Sequence, residues 1–128
     1  MSNEKQAQLE MARDCLRAAE TLLAGGLARN AANPAYMAME HAASAMLLSR
    51  GGRYSKHEGV QAQFGQLFSK TQLVAPKFHR YLLDAFKLRH NAEYEAGLVI
   101  ADEDVEATLK NAKEFLTMAE DFITKAGG

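Results

Sequence analysis

The chain has no tryptophan, two prolines and a single cysteine in 128 residues. One cysteine, Cys15, excludes an internal disulfide framework and any cysteine-paired metal site. With so little proline, and with much Ala, Leu, Met, Glu and Lys, good helix formers dominate and their strongest breaker is scarce. No run of 18 apolar residues occurs, so no membrane-spanning helix is expected. The opening Met1-Ser2-Asn3-Glu4-Lys5-Gln6 is neither a basic nor an apolar leader. A cytoplasmic location is the expectation. No segment alternates apolar and polar residues for long enough to propose a strand. The phosphate-loop pattern GxxxxGK[ST], the HExxH zinc pattern and a dinucleotide fingerprint are all missing. The four histidines, His41, His57, His79 and His90, are scattered, so neither a metal nor a cofactor is expected.

What the chain does have is helical periodicity, enough for one domain over 1–128 with a single core. Leu9, Ala12, Leu16, Ala19 and Leu23 recur at steps of three and four and end at Gly25-Gly26, which predicts a helix over 5–24. A second helix over 28–49 is rich in alanine, which lets neighbouring helices approach closely and marks it as the centre of a bundle. Asn33-Pro34 interrupts it: either Leu27 to Ala32 forms a separate turn and Asn33 caps a helix that starts at Pro34, or the helix kinks there. Tyr36, Met39, Ala43, Met46 and Leu47 form its apolar stripe, with Glu40 and His41 as polar insertions. His41 reads as a core-edge histidine with a satisfied hydrogen bond. Ser55 and Glu58 fit a capping box for a short helix over 57–69. Further helices are predicted over 76–96 and over 102–125, the last with Asp102, Glu103, Asp104 and Glu106 in its first turn, where the helix dipole favours anions. The expected class is all-α, an antiparallel bundle of four long helices plus one short one.

Net charge is −1, so its distribution says more than its total. Residues 50–89 carry eight Lys and Arg against two acids, and residues 90–128 carry three Lys against nine acids. The two stretches either pair within the fold or leave a cationic patch for phosphate or an acidic partner. Cys15 lies beside Arg13 and Arg17, which leaves two readings, a reactive thiol of lowered pKa or an ordinary packed helix cysteine.

The chemistry concentrates in Leu88-Arg89-His90-Asn91-Ala92-Glu93-Tyr94. On a helix Arg89 and Glu93 lie one turn apart, as do His90 and Tyr94, giving two adjacent polar ridges. These are either a solvated face with one ion pair or a site. A guanidinium is permanently charged and its fork fits phosphate oxygens, so Arg89, with the basic loop that carries Arg53, Lys56 and His57, is a candidate nucleotide or RNA site.

The chain resembles a HEPN domain, the small helical family named for nucleotide binding in higher eukaryotes and prokaryotes. The resemblance spans about Leu9 to Phe122. It rests on Gly25-Gly26, on Ala31-Ala32-Asn33-Pro34-Ala35-Tyr36-Met37-Ala38-Met39-Glu40-His41-Ala42-Ala43, on Lys56-His57-Glu58-Gly59-Val60, and on Arg89-His90-Asn91-Ala92-Glu93-Tyr94. It is most similar to the bacterial and archaeal branch whose arginine motif ends in tyrosine. Ribonuclease members carry an arginine, a polar residue and then a histidine about five positions after the arginine. Arg89 and His90 match the first two, while Tyr94 stands where the histidine would be. Imidazole exchanges protons near neutral pH and a phenol ordinarily does not. The resemblance therefore implies a protein that binds a nucleotide, nucleic acid or partner through Arg89, Glu93 and Tyr94 without catalysis; the alternative is a metal-independent endoribonuclease using Arg89 and His90. It also implies a homodimer, a nucleotidyltransferase partner in a toxin–antitoxin type of module, and Tyr94 as a conceivable nucleotide acceptor.

Overall fold

The computed structural model describes residues 3–52 and 57–125, with Glu58 described in its backbone only. Its helices are α1 (Glu4–Ala24), α2 (Ala28–Ser49), α3 (His57–Phe64), α4 (Lys77–Tyr94) and α5 (Asp102–Lys125), with a π-helical turn, Gly65–Ser69, continuing α3. No strand occurs among the described residues. The fold is all-α, as the periodicity predicts. The capping box of Ser55 falls outside the described residues, as do the proposed site residues Arg53 and Lys56.

α1 ends where its glycines require. Gly26 takes a positive φ of 83°, and the Leu27 amide donates back to the Leu22 carbonyl at 2.9 Å, closing the helix with a left-handed residue. The chain turns within three residues, so α2 runs back along α1.

α2 is the core element and packs against each of the other four α-helices. Ala31, Ala32, Ala35, Ala38, Ala42, Ala43 and Ala45 are all fully or almost fully buried. Alanine at so many buried positions is what lets α1, α4 and α5 come close on several sides at once. Of the two readings of Asn33-Pro34, the separate turn does not occur: α2 is continuous from Ala28 to Ser49, Leu27 stands at its N-cap, and Asn33 caps nothing. Proline here forfeits one backbone bond, to the carbonyl of Asn30, and Asn30 is exposed, so water can serve that oxygen. Burial of the alanines on either side outweighs that local loss.

Two local features bear on packing. The predicted helix over 57–69 changes to π geometry at Gly65, where a Cβ would sit 2.8 Å from the His79 ring, so a larger residue there would displace that ring. The connection after α4 is held from α2: the Arg29 guanidinium donates to the carbonyls of Ala92 at 2.6 Å, Glu95 at 3.4 Å and Leu98. Those oxygens lie at or beyond the last turn of α4, where helical carbonyls lack partners and a cation is favoured. Arg29→Ala is expected to lower stability by about 1.5–3 kcal/mol, read as a lower urea midpoint at unchanged slope; an unmoved midpoint would show the clamp to be ornamental.

Among the described residues the charge halves meet in two ion pairs, Arg89–Glu93 and Lys77–Glu114. Lys77 pairs with Glu114, which also accepts from the Tyr81 hydroxyl at 3.0 Å, and together they hold the Glu114 carboxyl below its usual range. Lys70, Arg80 and Lys87 have no ion-pair partner among the described residues, so the basic stretch is only partly neutralised. Further links tie α1 to α5, through Arg13–Glu120 at 2.8 Å and Lys113–Glu20 at 2.6 Å. Cys15 is half-buried, and burial, with Asp14 beside it, pushes its thiol up; the lowered-pKa reading is not the one realised. No described helix is long and apolar enough to cross a membrane.

Candidate functional site

Three helices bring side chains to one place, each through helical spacing. α2 contributes Asn33, Tyr36 and Glu40, at steps of three and four; α3 contributes His57 and Gln61, one turn apart; α4 contributes Phe86 and Arg89. Tyr36 is fully buried at the centre, with its ring edge-on to Phe86 at 5.4 Å and to His57 at 5.6 Å.

Arg89 is held on this platform. Its Nε donates to the Asn33 side-chain oxygen at 2.9 Å, and its Nη2 lies 3.3 Å from the Glu93 carboxylate. The guanidinium carbon sits 6.0 Å from the Tyr36 ring centre and 5.8 Å from that of Phe86, within cation–π range. The side chain is 16% exposed, against 35% for Glu93. Arg89 is therefore not part of a solvated face, although its one-turn pairing with Glu93 is as the spacing predicts. Two edges of the guanidinium are engaged, and Nη1 has no partner among the described residues.

Behind Arg89 lies a polar network that periodicity does not suggest. Glu40 is buried, and its Oε1 accepts from the Tyr36 hydroxyl at 2.7 Å and pairs with Nδ1 of His57. The Tyr36 hydroxyl in turn accepts from Gln61 Nε2 at 3.1 Å. Burial pushes the Tyr36 phenol strongly up, with Glu40 adding to the shift, so it stays protonated and serves as a donor. Among the described residues no buried side-chain polar atom is left without a partner. A carboxylate in a helix face of alanine and methionine is tolerated here because two donors meet it.

The other sequence candidates divide. His57 joins the cluster. His90 and Tyr94 form the neighbouring ridge, with ring centres 5.0 Å apart, both exposed, Tyr94 by 65%. Arg50, at the start of the basic loop, stacks over Phe122 at 5.3 Å. It stands 17 residues along α2 from Asn33, roughly 25 Å by helix rise, and so does not reach Arg89. His41 bonds Gln8 at 2.7 Å, half-buried, with burial lowering its pKa, as a core-edge histidine should. Periodicity assigns Asn33 to a cap, Tyr36 and Phe86 to apolar stripes and Glu40 to a polar insertion. The available signal was the spacing of Asn33, Tyr36 and Glu40, three hydrogen-bonding side chains on one face of an otherwise apolar helix. No group of three His, Cys, Asp or Glu that could hold a metal occurs among the described residues.

The chain matches the HEPN domain over residues 6–122. It belongs to the HEPN family. This HEPN chain is 33% identical over 125 residues to a "UPF0332 protein" of Thermotoga maritima, covering 94% of the present chain and 95% of that protein. It is 32% identical over 113 residues to "Putative toxin MJ0605" of Methanocaldococcus jannaschii, covering 88% and 84% respectively. A second protein of that archaeon, "Putative toxin MJ0142", is 28% identical over 120 residues, with 94% and 82% covered. Arg89, Glu93 and Tyr94 of the arginine motif thus lie inside the matched HEPN region, as does the Glu40–His57 network.

Proposed function

We propose that this HEPN protein binds a phosphate-bearing ligand, a nucleotide or RNA, at Arg89, as one half of a toxin–antitoxin type of module whose other half is a nucleotidyltransferase. The carrying observation is the fixed guanidinium: Asn33 and the aromatic platform orient it, and Glu93 occupies a single edge at 3.3 Å, a contact an anion can displace. A preset fork loses less freedom on binding phosphate than a mobile one. The relatives named as toxins support the module, and Tyr94 leaves the arginine motif without an imidazole at its last position.

Arg89→Ala is expected to weaken binding of ATP or of a short single-stranded RNA by about tenfold or more, since a charge-assisted contact contributes roughly 1.5–3 kcal/mol. Calorimetric titration beside a melting curve separates lost binding from lost fold. Unchanged affinity in a folded variant would return Arg89 to a purely structural role.

The protein also self-associates in this reading. The small-residue faces of α2 are used inside the chain, which leaves the outward side of α4, with Leu83, Lys87 and His90 exposed, as the dimer face. Light scattering at tens of micromolar is expected to give twice the chain mass, and Leu83→Glu to halve it. A wild-type monomer there would count against the dimer.

A further inference from the structure

The connection between α4 and α5 is held more firmly than its own side chains explain. Its seven residues, 95–101, are tied to α2 by the Arg29 guanidinium through the Glu95 and Leu98 carbonyls, and the Leu98 amide donates to the Glu95 carbonyl at 2.9 Å. Ile100 packs against the cluster that holds Ala19, Ala31 and Val105, whereas Leu98 is half-exposed and Val99 is 85% exposed. Leu27, at the N-cap of α2 two residues before Arg29, is half-exposed at the same end of the bundle. Fixing a loop loses conformational entropy, which burial of its side chains ordinarily offsets. Here two of the three large apolar side chains in the fixed loop face water instead. The charge beside them has one sign. From Glu93 to Glu106 there are six Asp and Glu and no Lys or Arg. Asp102, Glu103 and Asp104 suit the first turn of α5 through the helix dipole. Glu95 has no such reason: it is the C-cap of α4, where the dipole disfavours an anion, and it has no ion-pair partner among the described residues.

We propose that this corner of the bundle is a docking surface for a basic amphipathic helix of another protein. Leu27, Leu98 and Val99 take the apolar stripe of that helix, and the surrounding carboxylates, Glu95 among them, meet its Lys and Arg. The sign of the charge selects the occupant. A nucleic acid or an anionic membrane surface would be repelled by these carboxylates. Two copies of the corner set face to face would bring carboxylate against carboxylate. A small polyamine would match the charge and leave the exposed leucines and valine uncovered. A helix with Lys or Arg flanking an apolar stripe satisfies both features, because it lays its apolar face on the anchors while its cations reach the rim. The Arg29 bonds then have a use: anchors already fixed on an ordered backbone lose little freedom when the partner arrives. The proposal does not rest on the phosphate-binding reading of Arg89.

The test titrates the full chain into a fluorescent peptide of about 18 residues, long enough to hold a helix once bound, with Leu and Lys at helical spacing. A shuffled peptide of the same composition carries the same charge without the stripe. Fluorescence anisotropy is expected to show the patterned peptide bound about tenfold or more tightly than the shuffled one. Val99→Ser should weaken that binding by about fivefold or more, and exposure of the side chain leaves folding intact, so lost binding is not lost fold. Glu95→Gln should weaken it too and reduce its sensitivity to salt between about 0.1 and about 1 M. Leu73, another exposed leucine, lies beside Phe122 and Lys125 at the far end of α5, and Leu73→Ser should bind as wild type does. No binding of the patterned peptide, equal affinity for the shuffled one, wild-type affinity in Val99→Ser, or an equal loss in Leu73→Ser would each overturn the proposal.

Discussion

Tyr36→Ala is expected to lower stability by about 3–5 kcal/mol, the range for removing a fully buried aromatic side chain. For a chain of this length that corresponds to a fall in Tm of about 10–25 °C. The large value has two sources. The ring is the common neighbour of His57, Phe86 and Arg89, so its loss leaves a cavity where three helices meet. Its hydroxyl also joins Glu40 to Gln61, and without it both lose a partner away from water. Tyr36→Phe separates these sources: it keeps the ring and removes the hydroxyl, for an expected loss of about 1–3 kcal/mol. Because the phenylalanine still supports the guanidinium, Arg89-dependent ligand binding should survive in Tyr36→Phe and suffer in Tyr36→Ala. A melting curve for Tyr36→Ala within a few degrees of wild type would show that the platform is not what holds α2, α3 and α4 together.

Phe115→Ala is the second substitution expected to cost about 3–5 kcal/mol. Phe115 on α5 is fully buried, with ring centres 5.2 Å from Phe64 on α3 and 5.9 Å from Phe78 on α4. Phe64 continues the chain of rings to Phe68, and Phe68 to Phe122, each at 5.2 Å. Alanine would therefore remove contacts to two helices and leave a void that rigid neighbours cannot fill. Val99 supplies the contrast: it is 85% exposed, and Val99→Ala should change stability by less than about 0.5 kcal/mol. Urea unfolding of both variants checks the pair. Near-equal midpoints would contradict the aromatic core described for this end of the bundle.

Helix existence and order are legible in the residues because each helix carries its own apolar stripe and its own stop. The Gly25-Gly26 stop and the acidic start at Asp102 depend on the preferences of a few neighbouring residues, which a linear pattern records. The pairing of Arg89 with Glu93 is legible for the same reason, since one helical turn fixes it. Pro34 shows where local preference fails. Its cost is local and readable in the chain, whereas the burial that outweighs it comes from helices distant in sequence. Local preference for that reason makes Asn33 a cap, when it is the acceptor that orients Arg89 from 56 residues away.

The same division governs the site. The sequence by itself determined that an arginine motif of HEPN type sits near the end of a long helix, and that tyrosine stands where an imidazole would. Only tertiary structure decided that Tyr36 and Glu40 form a polar centre rather than part of a stripe, and that His57 belongs to that centre while Arg50 does not. The reason is physical. Spacing along one helix says which side chains share a face, but whether a buried carboxylate is stable there depends on donors that another helix delivers.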